Sequence, residues 1–322
     1  MPARTVLLLL LVASVAEAQP FEAVVMGGHQ VCNFHRESTT HQRTLEWVNP
    51  DAVESNTPLY WIASSASGRL FGLIGSQPYQ IAAITPDGGR TVLATAPGRG
   101  SMIAVAPGGR MYVLAVRGGH TLDRFSPDGV LEASYPLGQP VGVGFEVAPD
   151  GCTVYFTSSA GRDMIANSIQ RINGCTGERL PDFTVVMPPV EDIEVQPDGQ
   201  LLVATRQDVR LYDASGALAR TIVPTLENYG FDPWHHMVEQ ASVRNGVLWL
   251  TMNDPCGSGF LLRIDFATGA ELSRRAMASV NVAYSLVVGS APFAAVPTAG
   301  EVALVLLAFV LAAAGSLVLK LR

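Results

Sequence analysis

Hydrophobic and polar residues alternate along most of this chain in short runs that end in a turn. Ile103-Ala-Val-Ala-Pro107-Gly-Gly-Arg-Met-Tyr-Val113 is one such phrase. It returns as Phe145-Glu-Val-Ala-Pro149-Asp-Gly-Cys-Thr-Val154 and as Ile193-Glu-Val-Gln-Pro197-Asp-Gly-Gln-Leu-Leu-Val203. Ala241-Ser-Val-Arg-Asn245-Gly-Val-Leu-Trp249 is a weaker copy, and Ala63-Ser-Ser-Ala66-Ser-Gly68-Arg-Leu-Phe71 a degraded first one. The period-two alternation predicts half-buried strands, and the Pro-Asp-Gly turn between them predicts a hairpin. Pro presets the first turn angle and Gly supplies the positive φ that closes it.

A second turn falls between successive copies, at Pro86-Asp87-Gly88, Pro127-Asp128-Gly129, Asn173-Gly174, Ala214-Ser215-Gly216 and Ala267-Thr268-Gly269. Two hairpin turns per period mean four strands, which we label A to D from first to last. The copies lie roughly 40 to 48 residues apart, the blade length of a β-propeller. A lone hairpin cannot bury its apolar face, whereas radial stacking of four-stranded blades can. The sequence therefore predicts an all-β fold, a β-propeller over 19–290. Six blades are expected, one of them degenerate at the N-terminus or closing the ring with the last strand, with five and seven as the neighbouring alternatives. Five periods are visible, and 19–59 has room for one more strand set but shows no clear turn pair. A β-sandwich would not require two turns in each 40-residue period.

The turn phrase resembles that of the NHL, YVTN and gluconolactonase-like propellers. The likeness rests on the apolar-x-apolar-x-Pro-Asp-Gly pattern and implies architecture. Function has to be argued from the site, because propellers host many unrelated activities.

Composition adds to this picture at the two ends. Of 322 residues 48% are hydrophobic and only 15% charged, with 31 Gly and 21 Pro. The mean hydropathy of +0.26 exceeds what a repeat of half-buried strands supplies. Arg4, the run Val6 to Val12 and Ala16-Glu17-Ala18 form a basic, apolar and small-residue series, as in a signal peptide over 1–18. At the other end, 302–319 is an apolar run close to the length that spans a bilayer. It is followed by Lys320-Leu-Arg322, a basic tail that the positive-inside rule places in the cytoplasm. Lys320 is the only lysine of the chain. Val296, Pro297 and Thr298, with Glu301 and the apolar span, resemble the IPTL-CTERM sorting signal of Gram-negative bacteria, a relative of PEP-CTERM. Ala299 and Val302-Ala303 depart from that pattern. The resemblance implies 291–301 as a linker with the sorting motif, and an exosortase-type processing enzyme as a partner. A plain C-terminal membrane anchor explains the same residues. Either way the body is expected in the periplasm, at the outer membrane or at the cell surface.

Overall charge is −7. Arg4 and Glu17 cancel, and the tail carries one net positive charge, so the body is near −8. This argues against a nucleic-acid-binding surface, which would be basic. An exported body can carry disulfides. Cys152 follows an A–B turn and Cys175 lies in the C–D turn of the same repeat, so both sit at one end of adjacent strands and are expected to pair. Cys32 and Cys256 are the second candidate pair.

The densest polar cluster is Asn228-Tyr-Gly-Phe-Asp232-Pro-Trp234-His235-His236-Met-Val-Glu239, in the D-to-A connection before the last full repeat. His235, His236 and Asp232 are candidate acid–base residues, and Trp234 a candidate ligand contact. A surface loop with Trp234 packed down is the alternative. Aligning the repeats on their turns brings Ser101, Val143, Glu191 and Glu239 into register at the entry to strand A. Ser101 and Asp192 are candidate ligand contacts. In gluconolactonase-like propellers carboxylates and amides hold a divalent ion at this mouth. The resemblance thus implies Glu191 and Glu239 as metal ligands, with Ca2+ the fitting ion. No matching Asn accompanies them, and Asn281 falls in no equivalent position. His29, His35 and His41 fit no metal spacing. No Gly-x-Ser-x-Gly elbow, P-loop or dinucleotide fingerprint is present.

The expected function is a binding or interaction module for a protein, glycan or small ligand, without a cofactor. The alternative is a calcium-dependent lactonase or hydrolase. Mass analysis of the envelope-associated protein tests the two readings of the tail. Sorting predicts a C-terminus near Pro297, and a plain anchor predicts an intact Arg322.

Overall fold

The structure is a computed structural model. It describes residues 23–28, 30–31, 38–39, 44–47, 55–56, 59–65, 69–74, 78–84, 89–138, 140–160, 165–185, 190–223, 225–231, 237–253, 259–277 and 282–288. The leader, Cys32, Cys256, Asp232, Trp234, His235, His236, Asn281, the three N-terminal histidines and everything from 289 onward lie outside the described residues.

The N-terminal part contributes β1 (Ala23–Gly28), β2 (Gln30–Val31), β3 (Ser38–Thr39), β4 (Thr44–Trp47) and β5 (Ser55–Asn56). Blade I follows as β6 (Leu59–Ser64), β7 (Leu70–Ile74), β8 (Tyr79–Ile84) and β9 (Arg90–Ala96). Blade II is β10 (Arg99–Val105), β11 (Met111–Val116), β12 (His120–Phe125) and β13 (Leu131–Pro136). Blade III is β14 (Val141–Val147), β15 (Thr153–Ala160), β16 (Ile165–Asn173) and β17 (Arg179–Val185). Blade IV is β18 (Val190–Val195), β19 (Leu201–Thr205), β20 (Val209–Tyr212) and β21 (Leu218–Val223). Blade V is β22 (Met237–Arg244), β23 (Val247–Asn253), β24 (Phe260–Asp265) and β25 (Glu271–Ala276), and β26 (Val282–Val288) ends the series.

Each blade is an antiparallel sheet in sequence order. Among the described residues there are five such blades rather than the six expected. The physical reason is the N-terminal segment, which lacks the turn pair needed to close four strands by itself. Its strands are completed from the other end of the chain. β26 pairs with β1, from Ala23↔Val288 to Gly28↔Val282, in a composite sheet of order β26-β1-β4-β5. β2 and β3 form a separate two-stranded ribbon. β26 packs against β22 on one side and β6 on the other, so the composite sheet closes the ring between blades V and I.

The hairpins form as their residues dictate. In the A–B turns of blades III and IV the Gly151 and Gly199 amides each donate to the carbonyl three residues back, Ala148 and Gln196, at 2.9 Å. Both glycines have positive φ, 72° and 85°, the left-handed region that a Cβ disfavours. The Asp150 carboxylate accepts from the Cys152 and Thr153 amides at 2.8 Å, which explains the Asp of the turn phrase. In the C–D turns of blades IV and V the anchoring carboxylate stands one or two residues before the Gly-containing triplets read from the sequence. Asp213 accepts from Ser215 and Ala217, and Asp265 from Thr268. The blade III turn is also longer than Asn173-Gly174. It closes at Gly177, which donates to the Asn173 carbonyl at 2.7 Å. Gly174 is needed for a different reason: a Cβ there would come within 2.5 Å of the Tyr112 ring.

The core lies between blades. One apolar layer joins blades I and II around Phe71, Tyr79, Met111 and Phe125. A second joins II and III around Tyr112, Leu122, Phe145 and Phe156. A third joins III and IV around Tyr155, Ile169, Ile193 and Val203. The largest joins IV and V around Leu202, Leu211, Val238, Leu248 and Leu250. A short 3-10 helix, Leu226–Tyr229, capped by Thr225, lies in the connection before β22. It seals this last layer, with Leu226, Tyr229 and Phe231 buried. Cationic side chains stack on rings instead of trailing into water. Arg220 lies over Phe266, Arg263 over Trp249 and Arg274 over Phe231, at 5.0, 4.7 and 4.9 Å from the ring centres. A planar guanidinium suits that contact better than an ammonium.

Cys152 and Cys175 are bonded, with Cα atoms 5.2 Å apart, as their positions at one end of β15 and β16 require. The bridge abuts blade II, whose Arg124 donates to the Cys175 carbonyl at 2.5 Å. Its sequence separation is 23 residues, so its loss is expected to cost about 3 kcal/mol. Urea unfolding of a Cys152→Ala/Cys175→Ala variant against the wild-type chain measures that loss.

Candidate functional site at the inner strands

The innermost strand of a blade is paired on one side only, so its inner edge offers unpaired amides. All these strands share one irregularity near their start. Pairing skips Tyr60 in β6, Ser101 in β10, Glu191 in β18 and Glu239 in β22. In β14 it skips the stretch containing Val143, between Val141 and Phe145. In β26 it skips Tyr284. The positions aligned from the turn pattern are thus the bulge residues. Each stands six residues ahead of the residue that opens the A–B turn, and Tyr284 joins them from the one strand without such a turn. A bulge re-aims a side chain at a strand end, and such bulges concentrate beside binding sites.

The bulge side chains differ around the ring. Ser101 Oγ donates to the Leu114 carbonyl at 3.0 Å. Val143 is exposed. Glu191 Oε1 accepts from Arg206 Nε at 2.6 Å. The Arg206 pKa is raised by that bond, and the Glu191 and Glu239 charges act in the same direction. The two bulge carboxylates thus share the field of one guanidinium, supplied by the β19–β20 connection. Arg206 also accepts, through its carbonyl, the Val238 amide at 3.0 Å, which ties that connection to the strand bearing Glu239.

Behind the bulges lies a buried charged cluster that the sequence reading only touched. Asp192, expected as a ligand contact, is buried, and its Oδ2 accepts the Ala241 amide of the next blade at 2.9 Å. Two residues on, Glu194 Oε2 accepts the Val243 amide at 2.6 Å. Glu194 also accepts from Ser242 at 3.4 Å and from Arg244. The match follows from strand geometry. Residues i and i+2 share a face, and successive free-edge amides of β22 also recur every two residues. Two carboxylates on β18 therefore meet two edge amides on β22. Glu146 of β14 occupies the place of Glu194 one blade earlier and accepts the Val147 amide at 2.8 Å. Its carboxyl is pushed up to about 7, first by desolvation and then by the Glu194 charge, against the Val147 bond and Arg244. Burial, together with the charges of Glu194 and Glu146, holds the Asp192 carboxyl well above the usual carboxylate range. The visible signal was the repeated Glu of Phe145-Glu-Val and Ile193-Glu-Val, at the position where blade II has Ala104.

A second buried carboxylate serves blades I and II. Asp123 accepts from Tyr79 at 2.5 Å, from Ser134 at 2.6 Å and from Arg117. Among the described residues no three His, Cys, Asp or Glu side chains are grouped to hold a metal ion.

No protein-family pattern matches the chain, and no curated protein matches it in sequence. Solved structures do resemble it. A chain of the nidogen/laminin complex shares 11% identity, with 82% of this chain and 97% of that one covered at a TM-score of 0.60. A protein of unknown function from Bacteroides caccae shares 14% identity over 83% and 98%, at 0.57. XC5397 from Xanthomonas campestris, described as a gluconolactonase important in glucose secondary metabolic pathways, shares 14% over 73% and 85%, at 0.51. At such identities the likeness concerns the fold, and with the sheet order above it defines the chain as a β-propeller.

The amide clamp gives a direct expectation. Glu194→Ala strands the Val243 amide and the Arg244 guanidinium, and should cost about 3–5 kcal/mol. Glu194→Gln, which keeps a carbonyl acceptor, should cost clearly less. Urea midpoints of the two variants check this order.

Proposed function

We propose that the chain is an exported cell-envelope propeller acting as a binding or interaction module, with its ligand met by the bulge residues of the inner strands. The observation that carries this reading is the common bulge position, which is filled by a different residue in nearly every blade. A purely structural bulge would need no such variety, whereas a binding surface uses it for specificity. Glu191, Arg206 and Glu239 offer a carboxylate, guanidinium and carboxylate series suited to hydrogen-bonding a polar ligand. Delivery to the envelope rests on the leader and on the C-terminal segment, as a sorting signal or as an anchor.

A second reading is a calcium-dependent lactonase or hydrolase using Glu191 and Glu239. Two acidic bulge residues on neighbouring inner strands favour it, as does the fold likeness to a gluconolactonase. Against it, Arg206 already engages Glu191, and a divalent ion would have to displace a guanidinium. Asp192, buried and committed to the Ala241 amide, fits neither reading as a direct ligand contact without rearrangement.

Calorimetric titration of the purified chain with calcium chloride, run beside a glucono-lactone hydrolysis assay, separates the two. The binding-module reading predicts no stoichiometric calcium uptake and no hydrolysis. Stoichiometric uptake, lost together with hydrolysis in Glu191→Ala, would establish the enzyme instead.

A further inference from the structure

The side chains that blade II places against the Cys152–Cys175 bridge converge on one of its two sulfurs. Arg110 Nη1 donates to Cys175 Sγ at 3.7 Å, and the Tyr112 hydroxyl lies 3.7 Å from the same atom. Arg124 and Tyr135, also of blade II, hold the backbone behind that sulfur. Arg124 donates to the Gly174 carbonyl at 3.1 Å and to the Cys175 carbonyl, and Tyr135 donates to the Cys175 carbonyl at 3.1 Å. Arg110 and Arg124 share one carboxylate, Glu132, at 3.3 and 3.0 Å. A net positive charge therefore stands beside Cys175. The other end of the bridge has the opposite sign. The Asp150 carboxylate accepts the Cys152 amide at 2.8 Å. Glu178, exposed at the end of the Cys175 turn, is the remaining charged group there. A disulfide sulfur is a weak acceptor and gains little from a guanidinium. A thiolate in the same place gains a great deal.

We propose that the Cys152–Cys175 bridge is a thiol–disulfide exchange site, opened by a dithiol, with Cys175 as the leaving thiolate. One thiolate of the dithiol attacks Cys152 Sγ. The sulfur–sulfur bond breaks and its electron pair departs on Cys175 Sγ, beside Arg110. The second thiol of the reductant, deprotonated, then attacks its own sulfur in the mixed disulfide and expels the Cys152 thiolate, which takes up a proton. The dithiol is oxidised to a disulfide and the protein is reduced by two electrons. Of the two protons given up by the dithiol, one ends on Cys152 and the other goes to solvent, while Cys175 stays ionised. The direction of attack follows from the charges. Departure from Cys175 places the new anion next to a guanidinium, whereas departure from Cys152 would place it next to the Asp150 carboxylate. A leaving thiolate that is stabilised leaves faster.

The surroundings let the bridge open without releasing the turns that carry it. Both cysteines are half-buried. The Cys175 turn is docked on blade II through the Gly174 and Cys175 carbonyls, and the Cys152 turn through the Gly151 carbonyl, which accepts from Tyr112 at 2.9 Å. None of these bonds uses a sulfur atom. After reduction the two turns remain in place, and the Cys175 thiolate stays within reach of Cys152 for reclosure.

The test treats the purified full chain with dithiothreitol in the absence of urea, removes the reagent under nitrogen and follows iodoacetamide alkylation against pH. Peptide mapping reads Cys152 and Cys175 separately. The bridge should open with the near-ultraviolet circular dichroism retained, and Cys175 should reach half its maximal rate about one pH unit or more below Cys152. Arg110→Ala should bring the two midpoints together, and Arg110→Lys should keep most of the difference. A bridge that resists dithiothreitol until urea is added, equal midpoints in the wild type, or a Cys175 midpoint that Arg110→Ala leaves unmoved overturns the proposal. Should Arg110→Ala fail to fold, the wild-type midpoints alone decide.

Discussion

The free inner edge of each blade is the constraint on which the rest depends. Stacking sheets around an axis buries their faces, but it leaves the first strand of each sheet with a row of unpaired amides in a confined space. A buried amide without an acceptor costs about 1–3 kcal/mol, and the cost repeats along the strand. In blade V the acceptors come from blade IV. Asp192 and Glu194 project from one face of β18 at the repeat of the β22 amides. The bond that satisfies the edge is therefore also the bond that holds two blades together.

Using carboxylates for this purpose has an electrostatic consequence. Desolvated charges need partners, and the cluster holds more acids than bases. Arg244 on one seam and Arg117 beside Asp123 on another supply part of the compensation. Burial pushes the Glu146 and Asp192 carboxyls upward for the same reason. The absence of lysine from the body fits this arrangement, since guanidinium groups both pair with carboxylates and stack on Phe266, Trp249 and Phe231. The bulge ring in front of the cluster inherits the same polarity, acidic on blades IV and V and neutral at Ser101 and Val143.

Much of the fold was legible because hairpin turns are local. Pro-Asp-Gly at 149–151 and 197–199 determines its own geometry, and the Cys152–Cys175 bridge follows from two such turns. The register of Ser101, Glu191 and Glu239 could be found by counting from those turns, because each of these three bulges lies six residues ahead of one. What escaped the sequence is what depends on contacts across the ring. The closing sheet joins residues 23–28 to 282–288; closure by the last strand is among the arrangements the repeat allows, but no local pattern fixes which residues pair at that distance. The partners of Asp192 and Glu194 are backbone amides of another blade, which have no side-chain signature. Arg206 stands 15 residues from Glu191 in a connection whose length differs from blade to blade, so its pairing could not be read from the repeat. The 3-10 helix at Leu226–Tyr229 overlaps the start of the polar cluster and carries no phrase of the repeat.

The central claim is that two carboxylates of blade IV satisfy inner-edge amides of blade V. Amide hydrogen exchange at Ala241 and Val243 tests it most directly. The account predicts protection close to that of global unfolding at both amides, with a large loss of protection at Val243 in Glu194→Ala. Rapid exchange of both amides in the wild-type chain, as at an uncovered sheet edge, would contradict it.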